Sequence, residues 1–151
     1  MSSSSSTLFL VSCVKAKQSR AMAARDLYCS DWFLKARDYV EAQNAKWFIL
    51  SAMHGLVPPH KVIRPYSVTL NDMNSDQRCT WAGGVANQLR PNCRPGDDVL
   101  ILAGHSYREH LVPFLQSWGC NVKVPMAGMG IGQQKAWLKR QLKLRIGGGQ
   151  A

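Results

Sequence analysis

Apolar positions along the chain gather into short continuous runs separated by polar loops. Leu8-Phe9-Leu10-Val11, Trp47-Phe48-Ile49-Leu50 and Val99-Leu100-Ile101-Leu102-Ala103 are each only a few residues long and rich in branched or aromatic side chains. Runs of that length and composition read as strands buried on both faces, the pattern of central strands in a parallel sheet. Asn121-Val122-Lys123-Val124-Pro125 reads as a shorter fourth strand. Between these runs the apolar period changes to that of a helix. Phe33, Ala36, Tyr39 and Val40 follow Ser30, a residue suited to capping, and Asp31, an acid suited to a first turn. Asn74 and Gln77 form a capping-box pattern ahead of a segment that runs to Leu89 through Gly83-Gly84, and Ser106 with Glu109 repeats the pattern before Leu111, Phe114, Leu115 and Trp118. Pro113 in that last segment predicts a kink or a later helix start. The final helix is expected to extend to about Arg145, with Leu138 and Leu142 toward the core. Strands alternating with helices predict an α/β fold, a three-layer αβα sandwich around a small, mainly parallel four-stranded sheet.

In such a sheet the chemistry belongs to the loops after the strands, because ligands bind outside the carboxyl ends. After the first strand come Ser12, Cys13, Lys15 and Lys17, small polar groups followed by cations. After the second come Ser51, His54 and Gly55, then Pro58-Pro59, and then Arg64 and the rigid pair Pro65-Tyr66. A right-handed crossover makes the first two strands parallel neighbours, so these two loops should share one edge. The third strand delivers His105 and Tyr107. Gly130 and Gly132 precede the last helix; their alternate spacing is not that of a dinucleotide loop, although a helix N-terminus can receive a phosphate.

Charge narrows the class of partner. Lys and Arg number 19 against 9 acids, for a net charge of +10 on 151 residues. This excess favours polyanionic partners, DNA, RNA or an anionic membrane surface, with nucleic acid ahead. The last helix contributes Lys135, Lys139, Arg140, Lys143 and Arg145 without an acid. The five cysteines, Cys13, Cys29, Cys79, Cys93 and Cys120, are odd in number and lack zinc spacing, so neither a metal nor another cofactor is expected and a cytoplasmic location fits. Leu10-Val11-Ser12-Cys13 has the look of a lipoprotein cleavage box, but no basic segment or long apolar run precedes it. No run approaches the roughly 18 apolar residues of a bilayer span, so no membrane is expected. The expected organisation is a disordered serine leader over 1–6, a single α/β domain over 7–146 and a flexible tail over 147–151, with no obligate protein partner.

Several motifs taken together resemble a known family. Val11-Ser12-Cys13 with Lys17, Asp26-Leu27-Tyr28-x-Ser30, Ile49-Leu50-Ser51-Ala52-x-x-Gly55-Leu56 with Pro65-Tyr66, and Gly130-x-Gly132 occur in the order found in a family of small bacterial and phage domains. That family is distantly similar to the YaaA peroxide-stress proteins. YaaA-type sequences carry a Ser-Pro-Ala-Lys-like turn after the first strand and a Leu-Ser-Gly-x-Tyr-Gly…Pro-Tyr segment, which corresponds to Leu50 through Tyr66. Cys13 replaces the proline and His54 the tyrosine. The resemblance implies a DNA-associated domain. A looser analogy, at the level of fold alone, is to uracil-DNA glycosylases.

Three functions fit these residues. The first is a DNA glycosylase-like N-glycosidase that extrudes a damaged or modified base and hydrolyses its glycosidic bond. Asp26, His54 and Lys17 are its catalytic candidates, with Asp72 as the substitute acid. Lys15, Lys17 and Arg64 would hold phosphates, Tyr66 or Tyr107 would stack on the base, and Ser12, Ser51 and His105 would bond its edge, with Cys13, Gly130, Gly132, Lys139 and Arg140 completing the surface. The second is a DNA-binding stress or phage-defence protein without catalysis. The third is a nucleotide or nucleotide-sugar enzyme using the glycines as a phosphate loop.

Overall fold

The fold is taken from a computed structural model that describes residues 6–12 and 17–148, with side chains through 144. Cys13 and Lys15 lie outside the described residues, as do most of the serine leader and the last three positions. In chain order the elements are β1 (Thr7–Ser12), β2 (Met22–Ala23), α1 (Ala24–Leu27), α2 (Asp31–Ala42), β3 (Lys46–Ser51), β4 (Gly55–Val57) and β5 (Val62–Ile63). They continue with α3 (Ser75–Leu89), β6 (Asp98–Leu102), α4 (His105–Arg108), α5 (Leu111–Trp118), β7 (Asn121–Lys123) and α6 (Ile131–Gly148).

The main sheet has the order β4-β3-β1-β6-β7. The three apolar runs form its centre. Leu10 lies beside Phe48 on one side and Ile101 on the other, both neighbours running parallel to it. Residues 8–12 of β1 and 47–51 of β3 are all buried, which is why these strands read as continuous apolar runs rather than as alternating ones. On one face Phe9 meets the edge of Tyr39 of α2, with ring centres 5.9 Å apart, and α2 packs in turn on α6. On the other face α3 packs against α5 and β4. Leu10 is fully buried at the centre, so Leu10→Ala would cost about 2–5 kcal/mol through lost transfer energy and the cavity left behind.

The sheet has five strands, not four. The extra one, β4, pairs antiparallel with β3, placing Leu50 opposite Leu56 and Ser51 opposite Gly55. What read as a loop after the second strand is therefore a tight reversal followed by a return strand. Gly55 enables it with φ +74°, a conformation closed to most L residues, and a Cβ there would strike the side-chain amide of Gln88. The same amide oxygen accepts the outward N–H of Leu56 at 2.9 Å. Pro58-Pro59 then ends the strand. A separate two-stranded ribbon pairs Met22 with Ile63 and Ala23 with Val62.

The helix signals divide. Ser30 caps α2 by accepting from the Phe33 N–H, and Asn74 and Gln77 complete a reciprocal capping box at α3. The box expected at Ser106 and Glu109 is absent. Gly104 occupies the cap position of α4, the Ser106 hydroxyl donates to Asn71, and Glu109 is taken by Arg78. Pro113 sits in the first turn of α5, where its missing N–H costs nothing, so it marks the later start. Among the described residues no helix is long and apolar enough to cross a membrane, and no group of three or more His, Cys, Asp or Glu side chains is placed to hold a metal ion.

Candidate functional site

Tyr66 is the hub of the polar groups at the carboxyl end of β3. Its hydroxyl accepts a hydrogen bond from the Ser51 hydroxyl at 2.7 Å and exchanges one with the Tyr28 hydroxyl at 2.5 Å. The Ser51 oxygen in turn accepts from the backbone N–H of His54 at 3.0 Å. Ser51 is the last residue of a buried strand and is itself fully buried. A hydroxyl there would be costly without partners, and these contacts supply them. The indole of Trp81 on α3 closes the arrangement by donating to the Ser51 carbonyl at 2.9 Å.

Two nitrogen-bearing side chains border this network. The Lys17 ammonium stands 4.5 Å from the centre of the Tyr66 ring and 5.7 Å from that of Tyr28, in position for cation–π attraction to both. Lys17 is brought there by an antiparallel bridge to Tyr28, reinforced by the Gln18 N–H bonded to the Leu27 carbonyl. The exposed imidazole of His54 lies edge-on to the Tyr66 ring, with centres 5.5 Å apart. Lys17, Ser51, His54 and Tyr66, expected to share an edge, are thus brought together. Ser12, buried at the end of β1, pairs with Leu50 in the register and so shares the face of Leu50 rather than that of Ser51.

The other candidates fall elsewhere. Asp26 is held on the surface by Arg25 at 3.0 Å and Arg37 at 3.5 Å, which assigns its carboxylate to an ion-pair group rather than to the tyrosine network. Arg25 also grips Glu41 through two bonds of 2.8 Å, and that contact pulls the Glu41 carboxyl below its ordinary range. Tyr107, expected to stack on a base, is buried against Trp81 at 5.5 Å. Arg64 is exposed beyond β5, and Asp72 lies on an exposed turn. Gly130 and Gly132 flank the start of α6, where the Gly130 N–H is already bonded to Gln133. Lys139 and Arg140 are exposed farther along that helix, whereas Lys135 reaches Asp31 at 3.5 Å.

A second polar group at the same edge joins His105, a candidate from the sequence, to Arg78, Glu109 and His110, which the sequence did not single out as site residues. Glu109 accepts from Arg78 at 2.5 Å, and its carboxylate has His105 at 3.5 Å and His110 at 3.8 Å. Arg78 holds the Glu109 carboxyl below the usual carboxylate range, and the two imidazoles act in the same direction. Ser75 lies 3.3 Å from His110, but through the same ring nitrogen that faces Glu109. A nucleophilic triad needs the acid on the opposite nitrogen, so these three residues do not form one. The signal available in the sequence was Arg78, one residue beyond a capping box, but its partner lies 31 positions away.

Residues 8–140 match a family model described as a family of unknown function (DUF6884). The chain belongs to that family. No curated protein and no solved structure matches it. The matched span of this DUF6884 chain includes both polar groups, Lys17 through Tyr66 and Arg78 through His110, and it ends inside α6 before Lys143.

A groove of about 470 Å³ lies away from both groups, at the amino end of β3, lined by Glu41, Lys46, Trp47, Phe48, His60 and Asn92 among others. It collects none of the hydroxyls or rings described above.

Proposed function

We propose that this protein binds DNA at the carboxyl edge of its sheet and cleaves the N-glycosidic bond of a damaged or modified base displaced into the Tyr66 site. The observation that carries this reading is the convergence of Lys17, Ser51, His54 and Tyr66. Glycosidic cleavage leaves negative charge on the departing base, and a fixed ammonium is the group that stabilises it. Lys17 takes that part. His54, exposed and seated against Tyr66, presents the ring and the hydrogen-bonding nitrogen that meet the base, while Tyr66 positions both Lys17 and His54 and receives its own orientation from Ser51 and Tyr28. The attacking group is water. The net charge of +10 and the exposed Lys139, Arg140 and Lys143 supply phosphate contacts. The resemblance to YaaA-type proteins points in the same direction.

A second reading is DNA binding without catalysis. One observation favours it: Asp26, the carboxylate expected to activate water, is engaged by two arginines instead. One assay separates the two readings. The protein is incubated with duplexes carrying normal, oxidised, alkylated or hypermodified bases, and alkali-labile abasic sites are scored. Release from one substrate class, lost in His54→Ala and Lys17→Ala, supports the glycosidase. Retention of every base together with tight binding leaves the second reading, and absence of binding removes both.

A further inference from the structure

The edge of the sheet opposite the Tyr66 site holds two thiols in contact. Cys93 lies in the loop that enters β6 and Cys120 in the loop that enters β7, and their sulfurs are 3.4 Å apart. Both residues are buried, at 3% and 6% exposure, and both are free thiols. The loops that carry them are already fixed to each other. Gly96 N–H bonds the Gly119 carbonyl and Asn121 N–H bonds the Asp97 carbonyl, each at 2.9 Å, while both sulfurs face the Arg94 carbonyl. The Asp97 carboxylate braces the same turn by accepting from the backbone N–H groups of Ser6 and Arg94.

We infer that Cys93 and Cys120 form a reversible disulfide that locks the β6 and β7 entry loops together when the protein meets a thiol oxidant. The sulfurs must approach by little more than an ångström, to the bonded distance of about 2.05 Å, and side-chain rotation on two anchored loops supplies that movement. With a low-molecular-weight disulfide as oxidant, one protein thiolate attacks a reagent sulfur and expels one reagent thiol. The second protein thiol then attacks the mixed disulfide and expels the other. Two electrons pass from the protein sulfurs to the reagent, and the two protons end on the released thiols. Burial pushes the Cys93 thiol up, which disfavours its thiolate in the native packing and slows closure. The closed loop spans 27 positions, and cross-linking it restricts the unfolded chain and stabilises the fold.

The test equilibrates the whole protein with hydroxyethyl disulfide, blocks remaining thiols and maps the peptides without reduction. The expected product is a Cys93–Cys120 cross-link that dithiothreitol reverses. It should melt at a higher temperature than the reduced protein, and Cys93→Ala and Cys120→Ala should remove that redox-dependent difference. If either variant fails to fold, the cross-link in the parent protein still decides. Reagent adducts that persist on Cys93 or Cys120, thiols that stay alkylatable at full equilibration, a cross-link at other cysteines, or closure that does not raise the melting temperature would each overturn the inference.

Discussion

Two polar groups share the carboxyl edge of this sheet and differ in almost every physical respect. Around Tyr66 the partners are hydroxyls and aromatic rings on a fully buried serine, with one ammonium over a ring face. Around Glu109 the partners are a half-buried guanidinium, a half-buried imidazole and the imidazole of His105 at 75% side-chain exposure. Trp81 connects the two, bonding Ser51 on one side and packing on Tyr107 on the other. Neutral hydrogen bonds away from water are directional and nearly indifferent to salt. Ion pairs within reach of solvent are partly screened and dependent on pH. The first group is therefore built to hold a geometry and the second to respond to its surroundings.

The largest effect expected from breaking this contrast is at His54. Its exposed ring serves the first group without supporting it, so His54→Ala should abolish base release and leave the melting temperature unchanged. DNA affinity should shift less than tenfold, or under about 1.4 kcal/mol. A variant that retains base release would move the chemistry away from Tyr66. Tyr66→Phe comes next. It keeps the ring under Lys17 but strips buried Ser51 and Tyr28 of their shared partner, so urea denaturation should show a loss of about 1–3 kcal/mol. Unchanged stability would mean that the hydroxyl network is loose rather than fixed.

The α6 cations belong to neither group and provide a control. Lys139→Ala, Arg140→Ala and Lys143→Ala combined should weaken duplex binding for every sequence alike, with the salt slope falling by about 0.9 for each phosphate that is no longer neutralised. Equal slopes in fluorescence titrations would reduce α6 to a solvated face. The smallest effect is expected at Glu109. Its folded carboxyl titrates below its unfolded value, so its contribution is present above the ordinary glutamate range and is lost as pH falls through the lower folded value. Glu109→Gln should therefore destabilise at neutral pH, and the gap from the parent should close on acidification. A gap independent of pH would show that charge is not what Glu109 supplies.

The two groups were also unequally legible in the sequence. Central strands announce themselves, because burial on both faces demands an unbroken apolar run such as Leu8 to Val11. The edge that gathers Lys17, Ser51, His54 and Tyr66 followed from parallel pairing and loop chemistry alone. Strand β4 did not, since three residues that begin with a glycine carry no period and its pairing is settled only by the reversal at Gly55. Tyr28 stood in a recognisable motif, yet its role depends on meeting a ring 38 positions later. Ser106 and Glu109 show the opposite failure. A sound local capping pattern was overridden by Arg78, because a charged partner brought in by the fold competes for the same carboxylate. Asp26 stands apart from the tyrosine network for a similar reason: its carboxylate meets Arg25, its neighbour in sequence, and Arg37, eleven positions away on α2, a pairing that the sequence does not display.

The reversal at Gly55 also bears on how this protein behaves at high concentration. A sheet with two open borders invites other copies to add strands and grow into aggregates. Here one border is a three-residue strand whose outward Leu56 N–H is already occupied by Gln88 and whose continuation is two prolines, and the other border is equally short. An incoming strand would find one donor taken and no ladder to extend. Gln88, a residue with no part in either polar group, thus closes off an edge donor, and Gln88→Ala would leave the Leu56 N–H open to an added strand.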